Sequence, residues 1–235
     1  MSKENEIKKT IEKLNKYFVY AEKRLAIHEA SHVVFAYLMG HSCHYMQTGL
    51  QRDVAYKNGN LEIDAQSVSQ IYNIFPPFLD RALQLLTVGN SIQSISKSAD
   101  VSSEMIKAEI KKHIIVLLSG YEAENHFYNG IKYWFIKRIP LKYSIDMTPS
   151  DFRHDNTKIN FFANQVGVSN AQIGKLKKLI TNTLNNKKIK STCFALSDSC
   201  LEKTRLSQQE IEAILLETGF NDIKQQISEK FKAEF

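Results

Sequence analysis

Long apolar segments and paired cysteines are both lacking from this sequence of 235 residues. No segment approaches the roughly 20 apolar residues that a membrane-spanning helix needs. The charged segment from Met1 to Lys16 has no apolar core of the kind found in signal peptides. The three cysteines, Cys43, Cys193 and Cys200, form no C-x-x-C pair, which favours free thiols in a reducing compartment. We therefore expect a cytoplasmic protein with neither a signal peptide nor a membrane span.

The composition is that of a globular chain with a modest excess of positive charge. Hydrophobic residues make up 43% of the sequence, enough for one sizeable core, and the formal net charge is +6. The lysines are spread along the chain, and their densest cluster, Lys187 to Lys190, is short. This pattern favours a solvated basic surface. No nucleic-acid recognition motif accompanies the aromatic segment Tyr133 to Phe135, so a nucleic-acid partner is not expected.

The segment His28-Glu29-Ala30-Ser31-His32 carries the main chemical signal. Two histidines four residues apart on a helix project from one face and can share a metal ion, as in the H-E-x-x-H pattern of zinc hydrolases. Such sites have a third protein ligand, and a glutamate base deprotonates a water at the open position. The pattern predicts His28 and His32 as ligands of Zn²⁺ and Glu29 as the base. The alternative is a pair of core histidines satisfied by hydrogen bonds.

Hydrophobic periodicity in the first quarter of the chain predicts two helices and a ribbon. Apolar residues at helical spacing predict an N-terminal helix at 1–20 and a metal-motif helix at 22–39, with a hinge near Tyr20. A β-ribbon is predicted at 43–65, where Asn58-Gly59 is typical of a tight turn.

The remaining sequence favours helices, with one less regular segment. Residues 66–100, interrupted by Pro76-Pro77, are predicted to be an insertion that contains a helical stretch at Phe78 to Leu86. A long helix opens the helical remainder at 102–235. The prediction is a single domain, 1–235, of the mainly α class, with a small β-ribbon next to the metal-motif helix.

A zinc site needs a third ligand, and spacing alone does not choose one. The local candidates are the carboxylates and imidazoles of Glu122, Glu124, Asp146, Asp151, Asp155, His126 and His154. Asp151 follows Thr148-Pro149-Ser150, a combination typical of a helix start, so its carboxylate would lie on the first turn of a new helix. Most aspartates in that position only stabilise the helix, through the interaction of their negative charge with the positive end of the helix dipole.

Four segments, in order, resemble one protein family. The stretch Arg24 to Val34 resembles the H-E-A-G-H helix in the peptidase half of FtsH-type ATP-dependent metalloproteases. Leu117 to Glu124 looks like the family's L-L-G-G-R-A-A-E segment, and Pro149 to Phe152 is similar to the helix start that carries its third zinc ligand. Leu201 to Leu206 resembles the family's closing L-L-E-K-E-x-L segment.

The resemblance implies a role for each matching position. It makes His28, His32 and Asp151 the zinc ligands and Glu29 the catalytic base. It makes Glu124 a nearby buried carboxylate that supports the ligands from behind. The family's ring hexamers suggest a homo-oligomer, although there the ATPase half contributes to assembly.

Three departures from the family shape the expected function. Ser31 stands where the family usually has glycine, the stretch from His32 to Asp151 is longer than usual, and no G-x-x-x-x-G-K-[ST] phosphate loop is present. We therefore expect a stand-alone zinc endopeptidase that cuts unfolded or flexible polypeptides, with an unfoldase or adaptor delivering folded ones. The alternative is a catalytically inactive binding or regulatory module of the same fold, with zinc structural or absent.

Overall fold

The chain folds as a set of helices around a long first helix, with small antiparallel sheets at one side. The computed structural model describes residues 3–57, 60–67, 70–74, 76–128 and 150–234, with side chains described mainly in 18–49, 78–128 and 155–234. Helix α1 (Lys3–Leu38) is followed by strands β1 (Ser42–Gln47), β2 (Leu50–Lys57), β3 (Asn60–Ser67) and β4 (Gln70–Ile74). The next helices are α2 (Pro77–Thr87), α3 (Ile92–Ala99) and α4 (Ser103–Tyr128).

The described residues from 150 onward are helical except for one short strand. Its elements are α5 (Ser150–Val166), α6 (Asn170–Leu184), α7 (Lys187–Lys203), β5 (Arg205–Ser207), α8 (Gln208–Glu217) and α9 (Asn221–Lys232). The predicted class, mainly α with a small β-ribbon next to the motif helix, is confirmed. Among the described helices, none combines the length and apolar character needed to cross a membrane.

Helix α1 runs without interruption through the position where a hinge was predicted. The expected boundary between 1–20 and 22–39 is wrong, because the residues around Tyr20 include no glycine or proline and favour helix. The Tyr20 hydroxyl also donates to the carbonyl of Tyr128 at 3.0 Å, which holds this part of α1 against the end of α4. The metal-motif turns are therefore the C-terminal part of one continuous helix.

Helix α1 ends in a glycine cap. Gly40 has φ +85°, a left-handed conformation that glycine adopts without strain. The amide of His41 donates to the carbonyl of Ala36 at 2.9 Å, and the amide of Gly40 donates to Tyr37 at 3.3 Å. This pair of bonds is the Schellman arrangement, which satisfies the last carbonyls of the helix and turns the chain into β1.

The core is built on the C-terminal half of α1. Every residue from Leu25 to Met39 is buried, so this segment is covered on all sides rather than along one stripe. It packs against α4, α7 and β1, while α4 in turn packs against α5 and α6. The motif helix thus lies at the centre of the fold, and α5 reaches the same region through α4.

The described strands form two antiparallel sheets. In the larger one, β1 is central, with β4 on one side and β5 on the other. In the smaller one, β2 pairs with β3 from Leu50 opposite Ser67 to Lys57 opposite Asn60. The Asn58-Gly59 turn predicted between these strands lies outside the described residues. The sequence did not indicate the partners of β1.

The segment predicted as an insertion, 66–100, contributes to the core. It contains β4, α2 and α3, and the predicted helical stretch at Phe78 to Leu86 lies within α2. Leu79 and Leu86 of α2 and Ile95 of α3 are almost fully buried in the main hydrophobic cluster. Burial of these side chains stabilises the fold by about 1.5–3 kcal/mol each.

Candidate metal centre

The two motif histidines face helix α4 from consecutive turns of α1. His28 is 1% exposed and His32 is 7% exposed. The helices approach closely here because small residues meet at their contact. The Ser31 hydroxyl donates to the carbonyl of Ser119 at 3.0 Å, and the next residue of α4 is Gly120, which has no side chain. The histidine rings therefore lie directly against the α4 backbone.

Hydrogen bonds at Nδ1 determine the tautomer of both rings. Nδ1 of His28 lies 2.6 Å from Oε1 of Glu124, and Nδ1 of His32 lies 2.6 Å from the carbonyl oxygen of Val116. A carboxylate and a carbonyl can only accept, so each Nδ1 carries a proton and donates it. In the neutral imidazole, each Nε2 then presents a lone pair that can bind a metal.

The two Nε2 atoms meet a carboxylate from a third helix. They lie 2.9 Å apart, and Oδ2 of Asp155 on α5 is 3.3 Å from Nε2 of His28 and 3.2 Å from Nε2 of His32. Three electron-pair donors thus converge in buried surroundings, where they repel one another unless a cation lies between them. The group His28, His32 and Asp155 can hold a metal ion.

The spacing of these donor atoms suits a small tetrahedral ion. Ligands at about 2.0–2.1 Å from Zn²⁺ lie about 3.3–3.4 Å from one another in a tetrahedron. The three separations here are 2.9, 3.2 and 3.3 Å. Two imidazole nitrogens and one carboxylate oxygen are a donor set that zinc accepts, although other first-row ions accept it as well. Three donors leave one tetrahedral position for water or substrate.

A buried ion pair supports His28 from behind. Nε of Arg24 lies 2.5 Å from Oε2 of Glu124, whose other oxygen accepts from Nδ1 of His28. The Glu124 side chain is only 2% exposed, while that of Arg24 is 24% exposed. The cation of Arg24 offsets the cost of burying the carboxylate and keeps it an acceptor. The resulting chain, Arg24 to Glu124 to His28, orients the imidazole toward the cluster.

The acidic neighbours change the proton affinity of the cluster when no metal is bound. Burial by itself lowers the pKa of His28, but hydrogen bonds with Asp155 and Glu124 and the charge of Glu29 raise it to about 10. Burial by itself raises the pKa of Asp155, yet its hydrogen bonds with His28 and His32 hold that pKa well below its usual range. A proton therefore competes with a metal ion for the cluster throughout the neutral range.

Glu29 follows His28 directly in helix α1. It is 5% exposed, and its charge contributes to the raised pKa values of Cys43 on β1 and Cys200 on α7, where burial is the main cause. It contributes to the raised pKa of His28 as well.

The aspartate brought to the histidine pair is Asp155, one of the candidates that spacing left open. Asp151, which the family resemblance favours, lies on the first turn of α5, one turn before Asp155. Its side chain, like that of His154, lies outside the described residues, as does the whole of Asp146. The assignment of Asp151 as a zinc ligand therefore stays a prediction.

The other candidates contact different partners. Glu122 lies 3.8 Å from Nζ of Lys177 and accepts from the Thr181 hydroxyl at 3.4 Å. His126 stacks edge-on against the neighbouring Phe127, and burial lowers its pKa. Neither residue belongs to the metal-binding group.

Sequence reasoning missed two residues around the cluster. Arg24 precedes His28 by four residues and so shares its helical face, a signal that could have identified it. His113 is buried on α4, with its ring 5.5 Å from that of Phe162, and burial lowers its pKa to about 3. It therefore stays neutral beside the cluster. No sequence pattern distinguishes His113 from an ordinary core residue.

Comparisons with protein families, with characterised proteins and with solved structures found no match to this chain. The arguments about function therefore rest on the residues of the site itself.

Replacing Gly120 by alanine should disrupt the cluster. A Cβ at this position would lie 2.6 Å from Nε2 of His28 and 2.6 Å from Cε1 of His32, closer than real Cβ contacts come. We expect Gly120→Ala to lower metal affinity at least tenfold and to destabilise the fold by about 1–3 kcal/mol. Equilibrium unfolding and metal titration measure the two effects.

Gly174→Ala is the matched control, because Gly174 is also helical and nothing lies within 4 Å of its added Cβ. It should leave metal binding unchanged and stabilise the fold by up to about 1 kcal/mol through helix propensity. Equal metal affinity and equal stability of the Gly120→Ala and Gly174→Ala variants would contradict the position of the histidine rings against Gly120.

Metal affinity should rise with pH well beyond the usual imidazole range. Because the pKa of His28 is raised in the folded metal-free protein, protonated His28 stabilises that state. The stabilisation is fully present below pH about 6.5 and is lost as the pH rises toward about 10. Metal binding displaces that proton, so apparent affinity should rise by up to about tenfold per pH unit between these limits. Chelator competition, corrected for protonation of the chelator, measures this slope. An affinity that is flat from pH 7 to about 9 would contradict proton competition at this cluster.

Proposed function

We propose that this chain is a zinc-dependent peptide hydrolase in which His28, His32 and Asp155 hold the ion and Glu29 is the general base. One observation carries the proposal. Both histidine Nδ1 protons are committed to acceptors, and both Nε2 atoms converge with a carboxylate oxygen at separations of 2.9–3.3 Å. Without a proton or a metal ion between them, three lone pairs aimed at one point would repel one another.

The choice of peptide bonds as substrate rests on the sequence resemblance to FtsH-type peptidases. The four matching segments fall on α1, on α4, at the start of α5 and at the junction of α7 with β5. The first two segments meet at the contact of Ser31 with Ser119. The third begins the helix that supplies Asp155, so the proximity of these elements supports the proposal.

The chemistry assigned to the site is hydrolysis by an activated water. A bound zinc ion would act as a Lewis acid that lowers the pKa of water and polarises the scissile carbonyl. Glu29, next to His28 in the chain, accepts a proton from the attacking water as the new C–O bond forms. It then donates that proton to the leaving amine as the C–N bond breaks. Glu124 and Val116 hold the imidazoles in position throughout.

An extended substrate is expected to pair with a strand edge near the cluster. The predicted ribbon region includes β1, but Tyr45 to Gln47 of β1 pair with β4 on one side and with β5 on the other. Substrate pairing along those three residues is therefore ruled out. The outer edges of β4 and β5 are the candidates within the larger sheet, and either would favour unfolded or flexible segments.

Asp155→Asn and Asp151→Asn together test which carboxylate is the ligand. Each change keeps the side-chain size and removes its charge, and the two positions are one turn apart on α5. We expect Asp155→Asn to lower zinc affinity by at least about 100-fold, because a first-row ion loses an anionic ligand. Asp151→Asn should change affinity by less than about tenfold. Chelator competition measures both affinities. If Asp151→Asn lost more zinc affinity than Asp155→Asn, Asp151 would be the ligand instead of Asp155.

Glu29→Gln should separate catalysis from metal binding. The amide cannot accept a proton, so cleavage of an unfolded casein-like substrate should fall by at least about 100-fold. Zinc content should stay near one equivalent, because Glu29 is not among the ligand group. Equal cleavage by the variant would reject the mechanism. If the wild-type protein bound one equivalent of zinc and cleaved nothing, the alternative of a catalytically inactive binding or regulatory module would be favoured.

A further inference from the structure

The two histidines of the cluster are held by acceptors of unequal rigidity. His32 donates from Nδ1 to the carbonyl of Val116, which belongs to the backbone of α4. His28 donates from Nδ1 to the side-chain carboxylate of Glu124. The direction of a helix carbonyl is fixed, whereas a glutamate carboxylate is joined to the backbone through three rotatable bonds. The orientation of His28 therefore depends on what fixes Glu124.

Burial alone does not fix the plane of this carboxylate. The Glu124 side chain is 2% exposed, so it is confined. The last torsion of a glutamate is nevertheless broad, without the steep wells of the earlier ones. A carboxylate that is held at one oxygen only can still swing about that contact, and the accepting oxygen then moves relative to the imidazole. A hold at the second oxygen removes this freedom.

Arg24 supplies the second hold. Its Nε lies 2.5 Å from Oε2 of Glu124, while Oε1 lies 2.6 Å from Nδ1 of His28. Arg24 and His28 are four residues apart, so consecutive turns of α1 hold the two oxygens of one carboxylate. A guanidinium is planar and carries its donors in a rigid fork, so it fixes the plane of a carboxylate as well as its position.

The backbones that carry this ion pair are themselves held together. The Tyr20 hydroxyl donates to the carbonyl of Tyr128 at 3.0 Å, and the two rings meet edge-on with centroids 5.5 Å apart. Tyr20 precedes Arg24 by one turn of α1, and Tyr128 follows Glu124 by one turn of α4. The contact next to the ion pair therefore keeps Arg24 within reach of Glu124.

A metal centre needs a ligand held as closely as this. Ligands must stay within about 0.5 Å and 10–20° of their productive geometry. Nε2 of His28 lies 2.9 Å from Nε2 of His32 and 3.3 Å from Oδ2 of Asp155. Nδ1 and Nε2 belong to one rigid ring, so a shift of the acceptor at Nδ1 turns Nε2 away from the other two donors.

We propose that Arg24 is a positioning residue of the metal centre, which acts on the bound ion only through Glu124 and His28. This role rests on the proposed metal centre and adds a residue that contacts none of the three ligands. The alternative is an ion pair that stabilises the contact of α1 with α4 and has no effect on the ion.

A double-mutant cycle between Arg24→Met and Glu124→Gln tests the route of action. Methionine keeps an unbranched side chain of good helix propensity and removes the donors. Glutamine has a single oxygen, which cannot accept from Arg24 and His28 in the positions that the two carboxylate oxygens occupy. Each single variant should lower zinc affinity, measured by chelator competition, by about 10–100-fold. The double variant should lie within about threefold of Glu124→Gln alone, because the residue through which Arg24 acts is already replaced.

Cobalt reports the geometry of the site. Co²⁺ accepts the same donors as zinc, and its visible absorption depends on the number and arrangement of its ligands. At saturating Co²⁺, Arg24→Met should shift or weaken the visible bands of the wild-type protein. Lys23→Met is the matched control, because Lys23 is the neighbouring residue of α1, is exposed, and loses the same charge. It should leave the spectrum unchanged and zinc affinity within about twofold.

Thermal unfolding of the metal-free proteins separates positioning from stabilisation of the fold. Arg24→Met alone leaves a buried carboxylate without the arginine cation, so the melting temperature should fall by about 5–10 °C. The double variant replaces that carboxylate by a neutral amide and should regain most of the loss. Its zinc affinity should nevertheless stay at least about tenfold below that of the wild type. A purely structural ion pair would recover both properties together.

Three results would each overturn this role for Arg24. They are a zinc affinity of Arg24→Met within about threefold of the wild type, a wild-type Co²⁺ spectrum for that variant, and losses that multiply in the double variant. A wild-type protein that bound neither ion would reject the metal centre as well. If the wild type binds both ions and Arg24→Met behaves like Lys23→Met, only the positioning role fails. Peptide cleavage is not measured, so the hydrolase proposal is tested separately.

Discussion

The close crossing of α1 and α4 is the constraint on which the candidate site depends. At the crossing, α4 supplies a carbonyl to Nδ1 of His32 and a carboxylate to Nδ1 of His28. It also supplies Gly120, where any side chain would displace the rings. A wider separation of the two helices would release both Nδ1 atoms, and the imidazoles could then rotate away from each other. The chemistry of the site is thus a property of helix packing as much as of the motif.

The part of the site that could be predicted is the part encoded locally. The four-residue spacing of His28 and His32 places both on one helical face, and the apolar residues around them predict burial. The general fold class follows from the same periodicity. The family resemblance singled out Glu124, and the Nδ1 contact at 2.6 Å gives that residue a physical partner.

What could not be predicted depends on contacts between distant segments. Asp151 and Asp155 lie one turn apart on the same helix, so periodicity gives them nearly the same face and cannot tell which one reaches the histidines. The placement of β4 and β5 on either side of β1 depends on how distant segments pack. Helix α1 continues past the hinge predicted near Tyr20, because no glycine or proline interrupts it there.

The separation of the metal-binding residues along the chain also determines when the site forms during folding. His32 and Asp155 are 123 residues apart, and closing a loop of that length costs about 4 kcal/mol of chain entropy. Packing of α1 on α4 and of α4 on α5 supplies the stabilisation that offsets this cost. An ion that meets the unfolded chain finds only an isolated pair of histidines four residues apart. The three-residue group exists only once the helices have docked, so a metal ion held by all three residues would require the folded chain.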